Sequence, residues 1–132
     1  MSIGKLIVVY SSGDHRVVDA EPDLLPQLQR LVGGWVEVVH NQNAGTAIPL
    51  GDNLRKNLVA VVNEEGLLQE DVHYNGVTSY LLKYPGLLAG DAVLLRAGYT
   101  QEGEPDIFPL TEEDASRLSL ILQLMWSREV RE

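Results

Sequence analysis

Cysteine is absent from the 132-residue chain, which excludes a disulfide framework and any thiolate metal site. No apolar run approaches the roughly 20 residues that span a bilayer. Met1-Ser2-Ile3-Gly4-Lys5-Leu6 passes straight into an apolar strand pattern with no cleavage site behind it. The expectation is therefore a cytoplasmic protein with no signal peptide and no membrane partner. Basic residues are few, 10 against 19 acidic for a formal charge of −9, and only Arg55 and Lys56 are adjacent. That balance argues against nucleic acid as a partner. The acidic residues are in turn too sparse and irregular to imitate a run of phosphates, and solubility accounts for them.

Catalytic and cofactor signatures are lacking too. His15, His40 and His73 stand far apart, none in a His-x-Glu or His-Glu-x-x-His spacing, so neither a metal nor a cofactor is expected. There is no Gly-x-Ser-x-Gly elbow. Ser11-Ser12-Gly13-Asp14-His15 holds a serine, an acid and a histidine, but neighbours on a hairpin do not face one another as a triad must. Gly33-Gly34 follows a helical pattern and precedes a strand, the reverse of the order in a phosphate cradle. Internal repeats and low-complexity linkers are also missing.

What the chain does contain is a core: 45% of its residues are hydrophobic and 22% charged, and residues 1–132 suit one globular domain. Lys5 to Tyr10 is a β-branched run, turned at Ser11-Ser12-Gly13-Asp14 into a second strand at Arg16 to Asp19. Asp23 is the expected cap of a helix from Leu24 to Val32, with Pro26 in its first turn. One of Gly33 and Gly34 then closes that helix with positive φ, and a strand runs from Trp35 to His40. Asn41 to Asn53 reads as a long loop and Asn57 to Val62 as a central strand. Asn63-Glu64-Glu65-Gly66 is a turn in which Gly66 supplies tolerance of positive φ, letting Leu67-Leu68 pair back onto Val61-Val62. Asp71 to Pro85 suits either a short helix or a strand with tyrosines at its rim. Gly90-Asp91 makes a tight turn into a buried strand, Gly98 to Pro109 reads as a mobile loop, and Thr111 caps a C-terminal helix. The sum is an α+β domain, a curved, mainly antiparallel sheet of about five or six strands with two packed helices.

Four pieces in order, Leu28-Gln29-x-Leu31-Val32-Gly33-Gly34-x-Val36-Glu37-x-Val39, Asn63-Glu64-Glu65-Gly66-x-Leu68 with Asn75 downstream, Gly90-Asp91-Ala92-Val93, and Leu110-Thr111-x-Glu113, span nearly the whole chain. Together they resemble the domain-of-unknown-function family 3846 of small phage, plasmid and bacterial proteins. The chain departs from that family's Leu-Pro-x-Asn step, having Asp71-Val72-His73-Tyr74-Asn75 instead. The resemblance implies a mobile-element accessory protein and carries no activity with it.

The most site-like cluster is His73, Tyr74 and Asn75, with Tyr80, Trp35 and His40 expected near it. Aromatic faces beside amide and imidazole groups suit a base, a nucleotide or a peptide. The competing reading is aromatic packing around a buried Asn that ties down a loop. Glu64 and Glu65 offer paired carboxylates for an enzyme alternative, a small hydrolase or nucleotide-acting enzyme with His73. On the C-terminal helix, Ala115, Leu118, Leu122, Met125 and Trp126 form the stripe that docks on the sheet. Leu120 and Leu124 lie nearly opposite, near Arg117 and Arg131, as a candidate homodimer interface unless the Gly98 to Pro109 segment covers them. The functional expectation is a non-enzymatic binding or modulator protein that meets a protein partner or a small ligand. A nucleic-acid binder ranks behind the enzyme.

Overall fold

The computed structural model describes residues 3–40 and 52–131, with side chains for all of these except 52, 53, 55 and 126–131. Strands β1 (Lys5–Val9) and β2 (His15–Asp19) form the opening hairpin, and helix α1 spans Leu24–Val32. Strand β3 (Val36–His40) follows, then a short helix α2 (Asp52–Asn57) leads into β4 (Leu58–Asn63). A two-residue strand β5 (Tyr74–Asn75), helix α3 (Gly76–Leu81) and a second two-residue strand β6 (Leu88–Ala89) precede β7 (Ala92–Tyr99). Strand β8 (Pro105–Phe108) and the long helix α4 (Glu112–Arg131) complete the chain.

The sheet has the order β2-β1-β7-β4-β3, with β8 also paired to β7, and its pairings are antiparallel. This is the α+β architecture the sequence implies. Both faces of the sheet are covered, which explains why β1 and β4 are apolar at consecutive positions rather than alternate ones. Leu6, Val8, Val59, Val61, Val93 and Leu95 pack against Leu28 of α1, with Leu24, Leu31 and Val32 at the margin. Their alternates Ile7, Val9, Ala60, Val62, Ala92 and Leu94 form the other half of the core with Leu54, Val77, Leu81, Ala115, Leu118 and Leu122. Ile121 and Met125 lean on that second cluster. The α4 stripe therefore docks as its spacing requires, although the Trp126 and Arg131 side chains lie outside the described residues.

Local chemistry sets the element ends. Gly33 sits at φ +82° and its N–H donates to the Gln29 carbonyl at 2.9 Å, the left-handed helix stop expected of the glycine pair. Asp23 occupies the N-cap position of α1, but its side chain makes no capping bond. A neighbouring clamp ties the entry instead: buried Gln27 donates to the Asp19 carbonyl at 2.9 Å and accepts from the Glu21 N–H at 2.8 Å. Thr111 caps α4 as expected, its hydroxyl accepting from the Asp114 N–H at 3.1 Å above three first-turn carboxylates.

Three expectations need correction. Gly66 does not take positive φ; it opens a 3-10 turn, Gly66–Leu68, so Leu67 and Leu68 do not pair with β4 and stand exposed. A Cβ at Gly66 would lie 3.0 Å from the Ala89 carbonyl oxygen, so glycine serves a close backbone approach there. The Gly98 to Pro109 segment is no mobile loop, because β7 runs on to Tyr99 and turns back as β8. Thr100 N–H donates to the Glu104 carbonyl at 2.8 Å across that turn. The Arg96 guanidinium lies 5.2 Å from the Phe108 ring centre, which holds β8 down. Finally, Asp71 to Pro85 contains both alternatives in series, β5 and then α3. The Asn41 to Asn53 loop falls outside the described residues except for its last two positions, which begin α2.

Candidate functional site

Antiparallel pairing brings the end of β1, the end of β4 and the starts of β3 and β7 to one end of the sheet, since Val9 pairs with Ala92 and Val36 with Asn63. Loops leaving these strands meet there around an open cavity of about 360 Å³. Its lining includes Ser11 from the β1–β2 turn, Gly33 from the end of α1, Asn63 and Gln69 after β4, Asp71 and His73 before β5, and Asp91 from the β6–β7 turn.

Internal hydrogen bonds fix that rim. Asp91 Oδ1 accepts the Ser11 N–H at 3.0 Å, joining two of the loops. Asn63 donates to the Val32 carbonyl at 3.2 Å and accepts from the Glu65 N–H at 2.8 Å, which pins the helix end to the turn. Gly90 N–H donates to the His73 carbonyl at 2.7 Å. The His73 ring stands 3.2 Å from an Asp71 carboxylate oxygen, both side chains being largely in solvent.

The residues singled out from the sequence are divided by the fold. His73 lines the cavity. Asn75 is fully buried beneath it, donating to the Val9 carbonyl at 2.9 Å and the Gly90 carbonyl at 3.0 Å while its Oδ1 caps α3 through the Thr78 N–H. Every polar atom of that side chain is committed to the fold, so Asn75 positions the β6–β7 turn rather than presenting itself to a ligand. Tyr74, 53% exposed, and Trp35, 69% exposed, do not line the cavity. The four residues are thus not gathered around this cavity, and the competing reading of a buried Asn that ties down a loop describes Asn75.

Glu64 lines a smaller cleft with Glu37, Leu67, Tyr84 and Leu87, whereas His73 belongs to the larger one. Neither of these two linings brings Glu64 or Glu65 together with His73. Among the described residues no group of three His, Asp or Glu side chains is placed to hold a metal ion.

One polar pair was invisible in the sequence because its members are 104 positions apart: His15 Nε2 lies 2.8 Å from Ser119 Oγ on α4. Burial lowers the His15 pKa, opposed by the Asp14 carboxylate, so the neutral ring is favoured. Ser119 sits within a helix, where backbone N–H groups are committed to intrahelical bonds and do not supply a backbone oxyanion hole. The pair fastens β2 to α4.

No helix among the described residues is long and apolar enough to cross a membrane. Comparison with family models, curated proteins and solved structures returns no match to this chain.

Proposed function

We propose that the chain is a non-enzymatic binding protein, of the mobile-element accessory kind that its family resemblance implies, and that the cavity at the loop end of the sheet takes a small polar ligand carrying a cationic group. The observation that carries this reading is the cavity lining. A volume of about 360 Å³ is within the range of small-ligand pockets. Its carboxylates are Asp71 and Asp91, beside the His73 imidazole, with no lysine or arginine in the lining. Carboxylate, hydroxyl and amide oxygens from Asp71, Asp91, Ser11 and Gln69 favour a donor-rich amine over a phosphate or carboxylate. Catalysis fits less well, because the lining holds no nucleophile bonded to a base: no hydrogen bond joins Ser11 to His73 among the described residues.

Titration of 15N-labelled protein with putrescine, spermidine and inorganic phosphate tests the reading. Amide shifts centred on Gly33, Gly90 and Asp91 are expected with the amines and not with phosphate. Asp91→Asn keeps an oxygen acceptor for the Ser11 N–H but removes the charge, and should weaken amine binding several-fold. Shifts scattered over the acidic surface, or equal response to phosphate, would overturn the cavity assignment.

A further inference from the structure

The two outer edges of the sheet are built differently. In the β1–β2 hairpin the bonds from Tyr10 N–H to the Asp14 carbonyl and from Ala20 N–H to the Gly4 carbonyl set the phase, so the backbone groups of His15, Val17 and Asp19 face outward. Side chains block this edge at both ends: Asp14 Oδ1 accepts the His15 N–H, and Gln27 donates to the Asp19 carbonyl. On the opposite edge, Glu64 N–H donates to the Trp35 carbonyl, which turns the amides and carbonyls of Val36, Val38 and His40 outward. These take no hydrogen-bond partner among the described residues. Among the described residues, one edge is closed by its own side chains and the other is an open row of donors and acceptors.

The chemistry toward the start of the open edge is acidic. Residues 31–54 and 57–82, which contain β3, β4 and the turn after β4, hold no lysine or arginine, and the Arg55-Lys56 pair between them lies in α2 at the other end of β4. Glu37 projects from β3 on the face shared with buried Val39, and Glu37 and Glu64 line one small cleft whose apolar walls include the exposed Leu67 and Leu87. The alternate side chains Val36 and Val38 lie on the α1 face, partly exposed. A strand laid along β3 would therefore meet carboxylates on one face and valines on the other.

We infer that β3 is an acceptor for strand addition, and that its partner is an extended polypeptide segment with cationic side chains at alternate positions and β-branched side chains between them. Backbone bonds to Val36, Val38 and His40 supply the register, lysine or arginine opposite Glu37 and beside Glu64 supplies the charge match, and valine or threonine covers Val38. The cleft beside β3 adjoins the amine cavity at Asn63 and Gly66, but Glu37, Glu64 and the outward backbone of Val36–His40 do not line that cavity, and the inference does not depend on its being occupied.

The probe is an acetylated, amidated octapeptide alternating lysine with valine and threonine, compared with its counterpart carrying glutamate for lysine. The lysine peptide should slow hydrogen exchange at Val36, Val38 and His40 and bind at least tenfold more tightly than the glutamate peptide. Val38→Pro removes an outward N–H that the β3–β4 ladder does not use and should abolish binding. Glu37→Lys leaves the backbone edge intact and should shift the preference toward the glutamate peptide by tenfold or more, which keeps the test decisive if the proline variant fails to fold. Protection dispersed over the acidic surface, equal affinity for the two peptides, or an unchanged preference in Glu37→Lys would overturn the inference. So would concentration-dependent protection of β3 without peptide, since the edge would then belong to a second copy of the chain.

Discussion

Asn75 joins three backbone groups that nothing else satisfies in the same way: the carbonyls of Val9 and Gly90 and the N–H of Thr78. Asn75→Ala leaves these groups buried without the partners it supplied, and urea denaturation should register a loss of about 2–4 kcal/mol. Asn75→Asp restores the acceptor for Thr78 but turns an oxygen toward two carbonyls, so it should cost at least as much. Gly33→Ala is milder: no atom lies within 4 Å of the added Cβ, so only the φ of +82° is penalised, by about 1 kcal/mol. These two residues mark what was legible in the sequence. The Gly33 role follows from a helical period meeting a strand period within a few positions. The Asn75 role depends on a carbonyl 66 positions away, which no local pattern encodes.

His15 extends the residue scale to pH. Burial holds its folded-state pKa below the ordinary value of 6.5, against the opposing pull of Asp14, so the unfolded chain binds the proton more readily. Its contribution to stability is therefore complete above the unfolded pKa and falls as pH drops from there through the lowered folded value. Thermal unfolding followed from pH 8 down to pH 5 should show the loss, and His15→Gln should flatten it. An unchanged profile in that variant would assign the pH dependence to other groups.

At the scale of elements, the β7–β8 hairpin is the clearest departure from what composition suggested. Gln101-Glu102-Gly103-Glu104-Pro105-Asp106 is polar because β8 is largely solvent-exposed, and an exposed strand lacks the apolar run that announces a buried one. Thr100 pairing with Glu104 sets the phase, so the amides of Arg96, Gly98, Asp106 and Phe108 should be the hydrogen-bonded ones. Native-state hydrogen exchange should find them roughly tenfold or more slower than the turn amides at Gln101 and Glu102. Uniformly fast exchange through Phe108 would return the segment to a mobile loop. The core helices were easier to read, since their apolar stripes repeat over several turns, whereas two-residue strands such as β5 and β6 have no period to detect.

For the molecule as a whole, the outer face of α4 decides the state of association. Leu120 and Leu124 are 59% and 61% exposed, and the segment that was their alternative cover is folded as the β7–β8 hairpin. Beside them runs an open groove of about 420 Å³ between β2 and α4, lined by Val17, Leu120, Ser116 and Ser119. Lys5 and Glu112 also line it. We propose that this face is shared with a second copy about a two-fold axis, because apolar side chains within a rim bearing both charges can serve as patch and complement at once. Light scattering coupled to gel filtration at micromolar concentration should then give twice the chain mass. Changing Leu120 and Leu124 together to Glu should return it to the chain mass with the far-UV circular dichroism unchanged, since neither side chain belongs to the buried core. A wild-type chain that stays at its own mass of 14.6 kDa across that range would show that the two leucines have no partner of their own kind.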